Sequence, residues 1–109
     1  MEKEIKNFKN LMLINKYPDR IPVIIEKNEK IILTNYKYLV PKKLLMSGFI
    51  NLIRTNMNIT EKQAIFIFVK SCKGYVLVPM NESMENIYNL YKCDDGFLYI
   101  KFGLENTFG

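Results

Sequence analysis

The run AIFIFV at residues 64–69 is the longest unbroken apolar stretch in this chain of 109 residues. A continuous apolar run of this length is typical of a strand that is buried on both faces of a sheet. It is far shorter than the roughly 20 apolar residues that a helix needs to cross a bilayer. The run therefore predicts a buried β-strand, and the other elements are assigned outward from it.

Hydrophobic periodicity and turn residues assign the elements on either side of this strand. An i, i+4, i+7, i+8 spacing links Leu45, Phe49, Leu52 and Ile53. Lys73-Gly74 predicts a turn, whereas residues 75–78 are left unassigned. The predicted elements are a helix over 2–15, strands over 21–26 and 36–40, a helix over 43–56, the strand over 64–69, a short helix to residue 91 capped by Ser83, and a strand over 97–102.

The order of these elements predicts the α+β class. A long helix across a mixed four-stranded sheet, with the first and last strands adjacent and parallel, is the β-grasp arrangement. Periodicity alone leaves this as one of several α+β arrangements.

Composition argues against a self-contained enzyme. The chain has no histidine and two cysteines, which removes histidine-based nucleophilic sites and a four-cysteine zinc site. Its net charge is +5, and residues 31–62 carry five basic residues and one acidic residue. The positive charge is thus concentrated in the middle third of the chain. It predicts a local acidic partner as much as it predicts a polyanion.

The cysteines, Cys72 and Cys93, are expected to be free. The first residues carry no apolar signal segment, so we expect the protein in the reducing cytosol, where thiols stay unpaired.

Five blocks of sequence stand in one order: YPDRIPVIIEK at 17–27, KYLVP at 37–41, AIFIFV at 64–69, DGFLYI at 95–100 and ENTFG at 105–109. Together they resemble the autophagy-related ubiquitin-like modifiers of the GABARAP and microtubule-associated light chain three family. The resemblance implies a ubiquitin-like domain over 17–109, preceded by a shortened N-terminal helical segment over 1–16. The chain departs from the family's usual pattern at Leu45, where the family usually has a helix-capping threonine. It also has about four extra residues between Val69 and Ser83.

In that family the terminal glycine is the reacting group. The resemblance implies that the Gly109 carboxylate, with Phe108 as a recognition handle, is activated and joined to phosphatidylethanolamine. The implied partners are E1-like activating enzymes, E2-like conjugating enzymes and a deconjugating cysteine protease. The chain itself would be no enzyme, with no metal and no cofactor beyond the covalent lipid. We expect it to be a monomer in solution, cytoplasmic and, once lipidated, bound to autophagosomes or related membranes.

The resemblance also implies a docking face for cargo receptors and adaptors with aromatic-x-x-aliphatic motifs. The aromatic pocket would be lined by Leu13, Ile21, Pro22, Lys37, Leu39 and Phe97. The aliphatic pocket would be lined by Tyr38, Val40, Pro41, Leu44, Phe49 and Leu52. Acidic residues beside the motif would meet Arg20, Lys37 and Arg54. An alternative assignment places Leu13, Leu39, Phe49 and Leu52 in the core.

Two other functions stay open at this point. The carboxyl terminus of a ubiquitin-like modifier can also join a protein lysine. A basic nucleic-acid-binding domain would need basic and aromatic residues interleaved on one face. The aromatic residues here fall mainly within apolar strands, so we expect no nucleic-acid partner.

Overall fold

The computed structural model describes residues 16–29, 31–55, 57 and 64–104. The predicted helix over 2–15 and the predicted site residues Leu13, Phe108 and Gly109 lie outside them. The elements are β1 (Arg20–Ile25), β2 (Lys37–Pro41), α1 (Met46–Arg54), β3 (Ile65–Ser71), β4 (Gly74–Leu77), α2 (Met84–Tyr91) and β5 (Leu98–Leu104).

The strands form one mixed sheet in the order β2-β1-β5-β3-β4. The first and last strands, β1 and β5, are adjacent and parallel, and the other neighbours are antiparallel. The α+β, β-grasp prediction is confirmed. The predicted count of four strands is wrong, because β4 is a fifth strand.

The fifth strand depends on a glycine turn. Gly74 has φ of +115°, a left-handed conformation that is open to glycine and strained for other residues. The Ser71 hydroxyl donates to the Gly74 carbonyl over 2.8 Å and closes the turn. The chain then runs back along β3, with Val76 opposite Val69. The predicted turn at Lys73-Gly74 is confirmed.

One face of the sheet packs against the helices, and we call it the helix face. Its buried strand residues are Ile21, Val23, Ile25, Val40, Ile67, Val69, Leu98, Ile100 and Phe102. On the other face, which we call the second face, Phe66 keeps 38% of its surface exposed. The prediction that β3 is buried on both faces is therefore wrong for the described residues, because α1 and α2 pack on one face only.

The buried stripe of α1 differs from the predicted one. Met46, Phe49, Ile50 and Ile53 are the buried residues of this helix. They follow an i, i+3, i+4, i+7 spacing, which makes one face of a helix. Of the predicted stripe, Phe49 and Ile53 are buried, whereas Leu45 and Leu52 are exposed. Leu45 precedes the helix as its N-cap, because α1 begins at Met46 and not at residue 43, and Leu52 lies outside the stripe that packs on the core.

Backbone carbonyls cap the start of α1 in place of a side chain. Leu45 is the N-cap and makes no side-chain cap bond. The Met46 amide donates to the Glu82 carbonyl and the Ser47 amide to the Met80 carbonyl, each over 2.9 Å. These bonds satisfy amides that a helix start leaves without an intrahelical partner.

The α2 helix has the side-chain cap that the sequence predicts. The Asn86 amide donates to the Ser83 hydroxyl over 3.2 Å. We expect Ser83→Ala to lower the free energy of unfolding by about 1 kcal/mol, the usual cost of losing such a cap. Chemical denaturation measures the change. Ser83→Thr, which keeps a hydroxyl acceptor, is the matched control, and an equal loss in both variants would contradict the capping role.

Candidate docking surface

The outer edge of β2 pairs with no other strand among the described residues. The Ile25 amide donates to the Tyr36 carbonyl over 2.8 Å, which fixes the alternation of the ladder between β1 and β2. Since peptide groups alternate in direction along an antiparallel strand, those of Lys37 and Leu39 point outward. An edge of this kind is a template for a further strand.

The helix face of β2 brings together most of the predicted aliphatic pocket. Val40 and Phe49 are buried in the core. The Tyr38 ring meets the Phe49 ring edge-on, with 5.7 Å between the ring centroids. Leu44 and Tyr38 are half-buried and pack against the same core. The alternative that places Phe49 in the core is therefore the one that the structure supports.

The other two predicted members of this pocket lie on the surface. Leu52 is 58% exposed on α1, so its assignment to the core is wrong. Pro41 is exposed at the end of β2. Both are accessible to a partner in a way that Val40 and Phe49 are not.

A glycine in α1 shapes the surface beside Leu44. A Cβ added to Gly48 would lie 2.7 Å from the Cδ1 of Leu44. The side chain of Leu44 therefore lies directly over the helix at Gly48, which has no Cβ. A Cβ at this position would have to displace the flexible end of Leu44, so the glycine, which costs about 1 kcal/mol relative to alanine inside a helix, leaves Leu44 in its present place.

The second face holds four residues of the predicted aromatic pocket. Pro22 and Leu39 are opposite each other in the ladder between β1 and β2, and Lys37 shares their face because side chains alternate along a strand. Phe97 immediately precedes Leu98, the partner of Val23, and so lies beside Pro22. Its ring centroid is 6.5 Å from that of Tyr99.

Ile21 does not belong with these four residues. It lies opposite Val40 in the ladder and is buried in the core on the helix face. A shift of one residue along a strand changes the face on which a side chain lies. The placement of Ile21 in the aromatic pocket is therefore corrected, since it lies on the opposite side of the sheet from Pro22.

Two of the three predicted cationic contacts lie at β2, with Arg20 opposite its last residue and Lys37 as its first residue. Arg20 and Lys37 are both exposed. The Nη1 of Arg20 donates to the Leu39 carbonyl over 3.2 Å, and the Lys37 amide donates to the Asn35 Oδ1 over 3.3 Å. Arg54 instead belongs to the last turn of α1, where a cation interacts favourably with the helix dipole.

A polar cluster on the second face was not predicted from the sequence. The Tyr75 hydroxyl donates to the Glu26 Oε2 over 2.6 Å, and this bond raises the pKa of Tyr75 to about 12. The Tyr99 hydroxyl donates to Asp95, and burial, followed by this bond, raises the pKa of Tyr99. The bond from Tyr75 depends on β4, which the sequence left unassigned, so no pattern pointed to it.

Two thiols lie among the described residues. Cys72 and Cys93 are free, as predicted. Burial, assisted by the Asp95 carboxylate, raises the pKa of the Cys93 thiol, which opposes thiolate formation. The described residues hold no cluster of three or more side chains suited to a metal ion. None of the helices described is both long and apolar enough to cross a membrane.

Comparison with known proteins identifies what the chain is similar to. A family described as "Autophagy protein Atg8 ubiquitin like" matches residues 6–109. "Autophagy-related protein 8e" of Arabidopsis thaliana is 48% identical over 97 residues, which cover 86% of this chain and 76% of that protein. "Autophagy-related protein 8" of Schizosaccharomyces pombe is 44% identical over 97 residues, covering 86% and 77%.

Two solved structures share the fold. Trypanosoma brucei ATG8 superposes with a TM-score of 0.80 at 28% identity, covering 94% of this chain and 88% of that chain. Plasmodium falciparum Atg8, solved in complex with a Plasmodium falciparum Atg3 peptide, has a TM-score of 0.76 at 23% identity, covering 94% and 90%. The second likeness is evidence of the fold alone.

Proposed function

Because this chain belongs to the Atg8 family of ubiquitin-like autophagy proteins, we propose that it is a modifier joined through Gly109 to phosphatidylethanolamine. On the membrane it docks aromatic-x-x-aliphatic peptides of cargo receptors and adaptors along β2. It stays in the cytoplasm until conjugation and then resides on autophagosomes or related membranes.

The observation that carries the docking proposal is the placement of the two candidate pockets on opposite faces of one edge strand. Lys37 and Leu39 lie on the second face, and Tyr38 lies on the helix face beside Phe49. In an extended peptide, residues three apart point to opposite faces because the side-chain period is two. A peptide added to β2 therefore sends its aromatic residue to one face and its aliphatic residue to the other.

The free energies that such contacts usually contribute agree with this mode of binding. Burying one large apolar side chain stabilises a complex by roughly 1.5–3 kcal/mol. Two such side chains, together with main-chain hydrogen bonds to β2, make micromolar affinity reasonable, which corresponds to about −8 kcal/mol.

Family membership is the support for conjugation, and charge alone would not hold the protein on a membrane. Basic residues near an anionic bilayer contribute about 1 kcal/mol each and are screened by salt. One acyl chain binds only marginally, at roughly 10⁴ M⁻¹, whereas two chains anchor stably. An amide bond between Gly109 and a diacyl lipid thus switches attachment on, and a deconjugating cysteine protease that cleaves it switches attachment off.

The proposed partners supply the chemistry. An E1-like enzyme activates the Gly109 carboxylate with ATP, an E2-like enzyme carries it as a thioester, and the lipid amine displaces the thiol. The Plasmodium falciparum Atg8 structure holds an Atg3 peptide, and we propose that this chain also binds a peptide of its conjugating machinery along β2.

Reconstitution tests the conjugation proposal. The chain is incubated with its cognate E1-like and E2-like enzymes, ATP and liposomes that contain phosphatidylethanolamine, with phosphatidylcholine liposomes as the control. Intact-mass spectrometry is expected to find the protein plus one phosphatidylethanolamine minus water. An isopeptide adduct on a protein lysine in place of the lipid adduct would favour the alternative modifier, and an oligonucleotide-binding protein would give neither.

Lys37→Glu is expected to weaken binding of an acidic aromatic-x-x-aliphatic peptide about fivefold or more, because it reverses an exposed charge beside Leu39. Calorimetry at two salt concentrations measures the effect, which screening should reduce at the higher one. Lys73→Glu is the matched control, since it makes the same reversal in the hairpin turn at the opposite edge of the sheet. Unchanged affinity for Lys37→Glu would discard the docking assignment.

A further inference from the structure

The main chain of Phe97, a member of the candidate aromatic pocket, is held from both sides in the turn before β5. The Phe97 amide donates to the Asp95 Oδ1 over 3.0 Å, and the Phe97 carbonyl accepts from the Cys93 amide over 2.9 Å. Asp95 is 8% exposed and therefore buried, and a buried carboxylate needs hydrogen-bond donors of this kind. The backbone of Phe97 is thus fixed before a peptide arrives.

The ring of Phe97 meets a tyrosine that the same carboxylate anchors. Phe97 and Tyr99 lie on the second face, since side chains alternate along β5. Their ring centroids are 6.5 Å apart, with 68° between the ring planes, which is an edge-to-face arrangement. The Tyr99 hydroxyl donates to the Asp95 Oδ2, and the Lys70 Nζ lies 5.5 Å from the centroid of the Tyr99 ring. Tyr99 is therefore held both at its hydroxyl and at its ring.

We propose that Asp95 and Tyr99 are positioning residues of the aromatic pocket, which fix the Phe97 ring and thereby give docked peptides a preference for an aromatic residue over an aliphatic one. The proposal rests on the docking function given above. It adds two residues outside the predicted pocket, and it assigns to them the selectivity of the pocket for its aromatic side chain.

A ring that is fixed in advance favours binding because association then orders fewer groups. Ordering a side chain at an interface opposes binding, so a preorganised pocket binds more tightly than a mobile one. With its hydroxyl bonded to Asp95, the Tyr99 ring is a fixed neighbour against which the Phe97 ring packs. Without that hydroxyl the ring at position 99 can turn about its side-chain torsions, and Phe97 loses this fixed neighbour.

The loss should be larger for an aromatic side chain in the pocket than for an aliphatic one. Aromatic rings attract each other through edge-to-face or offset contacts that depend on their mutual orientation. The contacts of a leucine are non-directional, because they depend on the apolar area that is buried. Loosening Phe97 therefore weakens binding of a tryptophan more than binding of a leucine, and the effect is a change in selectivity.

The size of the effect follows from the strength of one aromatic contact. A pair of rings in this arrangement contributes an amount that corresponds to roughly a two- to tenfold change in an equilibrium constant. Removing the Tyr99 hydroxyl loosens the pair without deleting it, so the lower part of that range applies. Tyr99→Phe should therefore lower the ratio of the association constants, tryptophan peptide over leucine peptide, about two- to fivefold.

The experiment uses two peptides that differ only by tryptophan or leucine at the aromatic position of an aromatic-x-x-aliphatic motif. Calorimetry compares the wild type, Tyr99→Phe and Tyr75→Phe. Tyr75→Phe is the matched control, because it also removes a hydroxyl that donates to a carboxylate, that of Glu26. Tyr75 lies on β4, which is two strands away from β5 in the sheet. The melting temperature of each variant checks that the fold is kept.

A double-mutant cycle separates positioning through Phe97 from a general loosening of the fold. In a Phe97→Leu background, Tyr99→Phe should leave the ratio of association constants unchanged, because the ring that it positions is gone. A second measurement uses the protein without peptide. Nuclear Overhauser contacts between the rings at positions 97 and 99 should weaken in Tyr99→Phe and stay unchanged in Tyr75→Phe.

The expected result is a lower ratio in Tyr99→Phe and an unchanged ratio in Tyr75→Phe. Three outcomes would overturn the positioning role: an unchanged ratio in Tyr99→Phe, an equal fall in Tyr75→Phe, or a fall that persists in the Phe97→Leu background. Failure of the wild type to bind either peptide would instead overturn the docking function, and the inference with it.

Discussion

Gly109→Ala is expected to reduce formation of the lipid-linked product roughly 100-fold or more, the loss that a small misplacement of a reacting group can cause. The reason is steric. Glycine has no Cβ and adopts backbone angles closed to other residues, which suits a carboxylate that must enter the active sites of several enzymes in turn. Alanine adds a methyl group to the α-carbon. That carbon is bonded directly to the carbonyl carbon, at which every bond of the reaction is made or broken.

The measurement is the yield of adduct by intact mass in the reconstituted reaction, after equal times with equal enzyme. Asn106→Ala is the matched control, because it changes the same end of the chain without touching the reacting residue. Equal yields from Gly109→Ala and the wild type would remove Gly109 from the reaction. A loss in Asn106→Ala as large as in Gly109→Ala would show that the tail acts through recognition and not through its terminal residue.

Phe49→Ala is expected to lower the free energy of unfolding by about 3–5 kcal/mol, the usual cost of truncating a buried phenylalanine. Phe49 is fully buried and supports the ring of Tyr38. In a domain of this size that loss should lower the melting temperature by more than about 10 °C. Thermal denaturation followed by circular dichroism measures it.

Leu52→Ala is the counterpart on the same helix. Because Leu52 is 58% exposed, its truncation should change the free energy of unfolding by less than about 0.5 kcal/mol. It should still weaken an aromatic-x-x-aliphatic peptide severalfold, since the proposed aliphatic pocket includes this side chain. A large loss of stability in Leu52→Ala, or none in Phe49→Ala, would contradict the division between core and surface.

The elements that sequence reasoning located well carry local signals. Ser83 has a hydroxyl suited to an N-cap, and α2 begins directly after it at Met84. The proline at position 41 ends the strand that the apolar pattern began, and β2 closes at that residue. In each case one residue decides the boundary locally, Ser83 through its side-chain hydroxyl and Pro41 through its missing amide donor, so no tertiary information was needed.

The elements that it missed depend on tertiary contacts. The β4 strand has four residues, too few for a clear period, and it is stabilised by pairing with β3. The start of α1 is set by the carbonyls of Met80 and Glu82, which are far along the chain. Hydrophobic periodicity carries no information about pairing with β3 or about these distant carbonyls. The sequence therefore left β4 unassigned and predicted a start for α1 that is too early.

The resemblance predicted which residues belong to the candidate site, but not on which face of the sheet each of them lies. Ile21 and Pro22 are adjacent in sequence, and the register of β1 against β2 sends them to opposite sides of the sheet. The bond between Arg20 and the Leu39 carbonyl likewise depends on that register and has no sequence signature.

The most direct test of the account is a nuclear magnetic resonance titration of the labelled protein with two peptides, one aromatic-x-x-aliphatic and one aromatic-x-aliphatic. We expect micromolar binding of the first peptide only, with the largest amide shifts at Lys37 and Leu39 and a methyl shift at Leu44. Equal binding of both spacings, or shifts centred on β4 at the other edge of the sheet, would contradict it.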